Sequence, residues 1–277
     1  MTEWEAWIGR QDTSDDVLDP QQANRMAVTL DRDPTFRAGD PLPPAWQWLY
    51  FHDIVPASQL GEEGHPRLGV TMPPVPLPRR MWAGGRLDFF KPLRLGDRVE
   101  RISTIRSISP KEGKSGPLYF VTVEHEFSTE GQRNLIEQQT IVYREMSSTA
   151  EPARASAAPA GAEFTTKWSL DNTALFRYSA LTFNGHRIHY DADYSRAVEG
   201  YPNIVIHGPL IATLLLDLAH REGRPIGRFT YRARSPLFLP SPFTVNGADI
   251  PGGTRLWAAN DSGGLAMEAE AFAEPGD

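Results

Sequence analysis

The chain has 277 residues, with 28 Lys and Arg against 35 Asp and Glu, seven His and no Cys. That length accommodates two domains of roughly 100–150 residues or one large one, and the absence of cysteine excludes disulfides, thiolate zinc sites and a cysteine nucleophile. The net charge of −7 argues against extended contact with nucleic acid or an anionic membrane.

The 23 Gly and 24 Pro point to many turns and a sheet-rich fold rather than a helical bundle. The N-terminus, MTEWEAWIGRQD, is acidic and lacks the apolar stretch of a signal peptide. A short helix is expected near Asp19 to Thr29. Pro43 and Pro44 then open a candidate buried helix from Ala45 to His52, AWQWLYFH. After an insertion rich in Pro and Gly (Ile54 to Arg80), strands are expected at Arg86 to Phe90, Arg98 to Ile108, Leu118 to Ser128 and Asn134 to Glu145. Ser147 to Glu163, SSTAEPARASAAPAGAE, offers no large apolar residue to bury and reads as a linker.

The second half repeats this order. A short helix is expected at Asp193 to Gly200. Gly208-Pro209 opens an apolar run, Leu210 to Ala219, that ends near Gly223 and Pro225. Apolar almost all round, that helix should be buried. The wider stretch from Ile204, interrupted by His207, Gly208, Pro209 and Asp217, is too short to span a bilayer, so the chain reads as cytoplasmic. Strands are expected at Arg228 to Arg234, Leu237 to Asn246, Thr254 to Ala259 and Leu265 to Phe272. FFKPLRLGDRV, from Phe89, and RSPLFLPSPFTV, from Arg234, share a Pro-Leu-x-Leu core. Two units, each a helix followed by antiparallel strands, imply an α+β fold in which a sheet curls round one apolar helix, twice over.

The densest polar cluster, Phe183 to Asp191, reads FNGHRIHYD. It fits a solvated loop of local hydrogen bonds. His186, His189, Asp191 and His207 could also ligate a metal, although HxxH without a third ligand at diagnostic spacing is a weak signal. No phosphate loop or GxSxG elbow occurs. Gly208 stands where a helix begins, so its N–H has no intrahelical partner. Such a donor can stabilise an oxyanion on a thioester carbonyl, or simply start a helix.

The stretch Tyr178 to Leu210, YSALTFNGHRIHYDADYSRAVEGYPNIVIHGPL, resembles the hydratase motif of the MaoC-like and (R)-specific enoyl-CoA hydratase families. Together with PLPRRMWAGGR, it is most similar to the branch that holds mitochondrial 3-hydroxyacyl-thioester dehydratase and the mesaconyl-C4-CoA and itaconyl-CoA hydratases. The likeness runs from about Ala45 to Phe272. It implies a double hotdog: residues 1–146 a non-catalytic hotdog shaping the acyl pocket, 147–163 a linker, and 164–277 the hotdog that carries the motif.

By the same resemblance, His189 is the catalytic histidine, Asn184 stands where the wider family has aspartate, and the Gly208 N–H polarises the carbonyl. Arg187 replaces a proline. Trp46, Trp48, Tyr50, Phe51, Met81 and Trp82 line the pocket or form core. Arg79, Arg80, Arg232 and Arg234 could grip phosphates of coenzyme A or a substrate carboxylate, or lie solvated at the surface.

The activity implied is reversible hydration of an α,β-unsaturated acyl thioester on coenzyme A or acyl carrier protein. It needs no metal or other cofactor. A thioesterase and a non-catalytic acyl-thioester-binding module are the alternatives. Two hotdogs in one chain could already form the pseudo-dimer of single-hotdog relatives, and a homodimer is also compatible.

Overall fold

The computed structural model describes residues 2–113, 116–145 and 155–275. The first half opens with β1 (Gln11–Val17), followed by α1 (Pro20–Thr29), whose first turn Asp19 caps by accepting from Gln21 N. Four long strands complete it: β2 (Arg79–Phe89), β3 (Arg98–Gly113), β4 (Gly116–Thr129) and β5 (Gln132–Arg144). The second half contains β6 (Phe164–Trp168), α2 (Asn172–Leu181), α3 (Ala192–Ala197), α4 (Gly208–Arg221), β7 (Arg228–Ala233), β8 (Phe243–Ile250), β9 (Gly253–Asn260) and β10 (Leu265–Phe272).

All ten strands form one antiparallel sheet in the order β1-β3-β4-β5-β2-β7-β10-β9-β8-β6. Read outward from the central β2–β7 pair, the two halves mirror each other strand for strand, and α1 packs against α2. This is the double hotdog that the sequence implied. The junction needs glycine: a Cβ on Gly84 would lie 2.6 Å from Tyr231 O, and one on Gly85 would lie 2.3 Å from Tyr231 Oη. The shared Pro-Leu-x-Leu segments are equivalent turns, in which Leu93 and Leu95 are buried in one half and Leu237 and Leu239 in the other.

Only the second half has a long apolar helix among the described residues. In α4, Leu210, Ile211, Leu214, Leu215, Leu216 and Leu218 are all buried against the concave face of β7–β10. Its charged residue Asp217 receives a bidentate pair from Arg32 at 2.6 and 2.5 Å. The helix expected at Ala45 to His52 is instead a single 3-10 turn, Trp46–Leu49. Left-handed backbone at Ala45 (φ 68°) and Phe51 (φ 57°) breaks it at both ends. Gln47 Nε2 and Trp48 Nε1 then donate to Glu137 on β5, at 3.2 and 2.7 Å.

Without a helix to cover it, the concave face of β3–β5 borders a cavity of about 640 Å³. Side chains from β3, β4 and β5 alternate into it as Arg101 and Ser103, His125 and Phe127, Glu137 and Gln139.

One further element differs from expectation, and one falls in a segment to which the sequence reading assigns no element. The partner of α1 in the internal repeat is α2, not the helix near Asp193. The segment before Asp19 is the edge strand β1, paired with β3 as β6 is with β8. Of the expected linker 147–163, residues up to 154 lie outside those described. The remainder is bonded to the second half, with Ala158 N donating to Gly263 O at 2.9 Å and Glu163 N to Gly247 O at 2.8 Å. No helix among the described residues is long and apolar enough to cross a membrane.

Candidate active site

The motif folds into a tight loop between α2 and α3. Asp171 caps α2 by accepting from Ala174 N at 2.8 Å, and left-handed Phe183 (φ 51°) turns the chain away after the helix ends. Asn184 N donates back to Ser179 O at 2.8 Å, while Asn184 Oδ1 accepts from His186 N at 3.0 Å. A backbone N–H can only donate, so that contact identifies the side-chain oxygen and leaves Nδ2 as the amide's remaining group. Asp191 then caps α3 by accepting from Tyr194 N at 3.0 Å.

His189 sits in the intervening 3-10 turn, buried, with Nδ1 2.8 Å from Val205 O. A carbonyl only accepts, so Nδ1 carries the proton and Nε2 keeps its lone pair. Burial first, then the neighbouring His186, push its pKa down to about 3. The ring stacks on His207, with centroids 3.7 Å apart and planes inclined by 19°. His207 shares a 2.8 Å hydrogen bond with Ser179 Oγ through Nε2, which locks the stack from behind.

Gly208, the first residue of α4, follows directly. A Cβ there would come within 2.8 Å of Trp82 Cε3, so only glycine lets the helix terminus approach this closely. Trp82 is itself held by stacking on Tyr231, with centroids 4.5 Å apart. His189, Asn184, Gly208 and Trp82 all line the one cavity. One wall therefore presents an imidazole lone pair, an amide and a helix N-terminus. Such a wall can take a proton from water while a donor polarises a carbonyl.

Residues 45–239 match the hydroxyacyl-thioester dehydratase type 2 family. The chain is also 44% identical over 274 residues to the mesaconyl-C4-CoA hydratase of Chloroflexus aurantiacus, covering 96% of each chain. The chain belongs to the hydroxyacyl-thioester dehydratase type 2 family. A second relative is the mitochondrial hydroxyacyl-thioester dehydratase type 2 of Schizosaccharomyces pombe, 29% identical over 235 residues that cover 74% of this chain and 77% of that one. Among solved structures, the MaoC-like dehydratase of Phytophthora capsici superposes with a TM-score of 0.73 at 13% identity, covering 99% of this chain and 98% of that one. At that identity the likeness speaks for the fold alone.

Within this dehydratase-family chain the expected arginines divide. Arg80 and Arg234 line the cavity, and Arg234 also pairs with Glu268 through Nη2. Arg79 does not line it: its Nε lies 3.0 Å from Glu199 and its guanidinium covers the Tyr201 ring. Arg232 is exposed on β7, away from the cavity wall. Arg187 is turned outward, bonding Asp191 Oδ2 at 3.0 and 2.7 Å and reaching Glu62 O at 3.3 Å.

Trp48, Tyr50, Phe51 and Met81 contribute to the cavity wall, whereas Trp46 is core. The groups considered as metal ligands do not converge, since Asp191 is spent on Arg187 and α3, and His207 on Ser179. His65, Arg101, His125 and Glu137 also line the cavity and were not singled out in the sequence. They sit in the insertion or on strands whose facing emerges only once the first-half helix is gone.

Proposed function

We propose that the chain is a hydro-lyase that adds water reversibly across the double bond of an α,β-unsaturated acyl thioester. The observation that carries this is the pairing of His189, fixed as a neutral imidazole with Nε2 as its lone-pair nitrogen, with the adjacent α4 terminus at Gly208 in the lining of one cavity. Family membership and the activities named for its relatives support it.

In this reading the Gly208 N–H holds the thioester carbonyl oxygen and draws electron density from the β-carbon. Water, oriented by Asn184, gives a proton to His189 Nε2 while its oxygen bonds to the β-carbon. The resulting enolate takes that proton back at the α-carbon. An amide cannot accept the water's proton, so the transfer falls to His189 alone. Dehydration of the 3-hydroxyacyl thioester is the same path reversed.

The C-terminal half carries the chemistry and the N-terminal half shapes the acyl pocket. In this reading Arg234, at the cavity rim, grips phosphates of a coenzyme A that enters as part of the substrate, and no resident cofactor is required. Incubation with crotonyl-CoA and mesaconyl-C4-CoA, following enoyl absorbance and free thiol together, tests the reading. Loss of absorbance without thiol is the expected result. Thiol release would make the protein a thioesterase, and binding without either change would make it a non-catalytic module.

A further inference from the structure

Beside His189, the cavity holds polar side chains that the proposed reaction leaves without a role. His65, from the Pro- and Gly-rich insertion of the first half, places its ring 4.6 Å from that of His186. His186 in turn lies 5.5 Å from His189. Arg80, His65 and His186 all line the cavity. Arg80 also lies close enough to His65 to add to the burial that holds that imidazole well below its usual range.

The insertion is built onto the catalytic loop. Glu63 O accepts from Arg187 N at 2.8 Å, and Gly64 packs so tightly that a Cβ would lie 2.0 Å from Gly185 O. Charge is sorted across the β2 strand. Successive side chains leave on opposite faces, so Arg79 passes behind to Glu199 at 3.0 Å while Arg80 enters the cavity. Among the described residues no carboxylate is paired with Arg80. The result is one guanidinium with no carboxylate partner, a neutral His65 imidazole with an N–H to offer, and His186, whose Nε2 lies 3.8 Å from the same Glu199 that pairs with Arg79.

The reaction geometry says what could meet them. Attacking water must stand about 3–3.5 Å from the β-carbon. A carboxylate bonded to that carbon has its oxygens roughly 2.5 Å further out. Such a group therefore falls within about 5–6 Å of the water held at His189, comparable with the 5.5 Å between the His186 and His189 rings.

We propose that Arg80, His65 and His186 form a carboxylate subsite, and that the substrates are monothioesters of short unsaturated dicarboxylic acids bearing the free carboxylate on the β-carbon. Mesaconyl-C4-CoA, the substrate named for the Chloroflexus relative, has that arrangement. An aliphatic enoyl group would leave the Arg80 guanidinium and the His65 N–H without an anionic partner, which is a basis for rejection. This inference rests on the hydratase reading above.

The test compares kcat/KM for mesaconyl-C4-CoA and crotonyl-CoA in the wild-type chain and in the variants Arg80→Gln and His65→Leu. The wild type is expected to favour the dicarboxylic thioester by about 10²-fold or more, and each variant to lower that ratio at least about tenfold through the KM for mesaconyl-C4-CoA. An inactive fraction lowers kcat for both substrates and leaves both KM values in place, so poor folding does not imitate this result. Wild-type turnover of crotonyl-CoA equal to or better than that of mesaconyl-C4-CoA overturns the subsite and leaves the hydratase reading intact. So does an equal rise of both KM values, the pattern of a cation that grips coenzyme A phosphate. Hydration of neither thioester overturns both.

Discussion

Three contacts decide the state of His189 before any substrate arrives: the Val205 carbonyl at Nδ1, the His207 ring on its face and the His186 ring at its edge. Because burial and His186 depress its pKa to about 3, the base is neutral through the whole physiological range. The pH profile of kcat/KM should therefore show no acid limb near 6.5, the ordinary imidazole value, and should begin to fall only below about pH 5. A limb centred near 6.5 in steady-state kinetics would contradict the neutral, buried imidazole. At Gly208, the clash of an added Cβ with Trp82 makes Gly208→Ala a sensitive probe. Its kcat/KM for an enoyl thioester should fall by about tenfold or more as the helix terminus or Trp82 shifts; an unchanged value would remove the close approach from the mechanism. These residues were legible because they lie within one short stretch of sequence. His65 was not, since it reaches the same wall from the other half on an insertion that carries only turn signals.

Elements were legible where burial left a one-sided or all-round pattern. α4 is apolar on every face because sheet and core enclose it, and Leu215, fully buried, measures what that enclosure is worth. Leu215→Ala should cost about 2–5 kcal/mol in urea unfolding; a loss under about 1 kcal/mol would mean the helix is far less tightly enclosed than described. By contrast, β1 is an edge strand with Asp12, Asp15 and Asp16 along it, and its polarity hid it among loop residues. α2 buries only Leu175, Tyr178, Ser179 and Leu181, and its sequence runs straight into the motif. The expected helix at Ala45 failed for a local reason: its apolar residues are those of a helix, but its two flanking residues adopt left-handed backbone. That failure matters functionally, because it is what uncovers the polar concave face of β3–β5.

Across the whole molecule, duplication was readable from the repeated order of elements, whereas the joining of the halves through β2 and β7 was not. Gly84 and Gly85 carry that junction, and nothing in their composition distinguishes them from turn glycines. The cavity lies between the halves, lined by His65, His125 and His189 with His207 stacked behind, and all four are held below the usual imidazole range, chiefly by burial. The unfolded chain binds protons at these sites at a higher pH than the folded one. Their contribution is thus complete above about pH 6.5 and is lost as pH falls toward the folded values, by up to about 1.4 kcal/mol per pH unit for each histidine. The urea midpoint should drop clearly between pH 7 and pH 5; a constant or rising midpoint would contradict neutral burial.

The central claim is that the imidazole of His189 alone carries the proton in water addition. Single-turnover and steady-state hydration of an enoyl thioester by His189→Ala, in protein that keeps the wild-type circular dichroism and thioester affinity, tests it most directly. A fall in kcat of at least about 10²-fold is expected. Turnover within about fivefold of wild type would contradict the assignment.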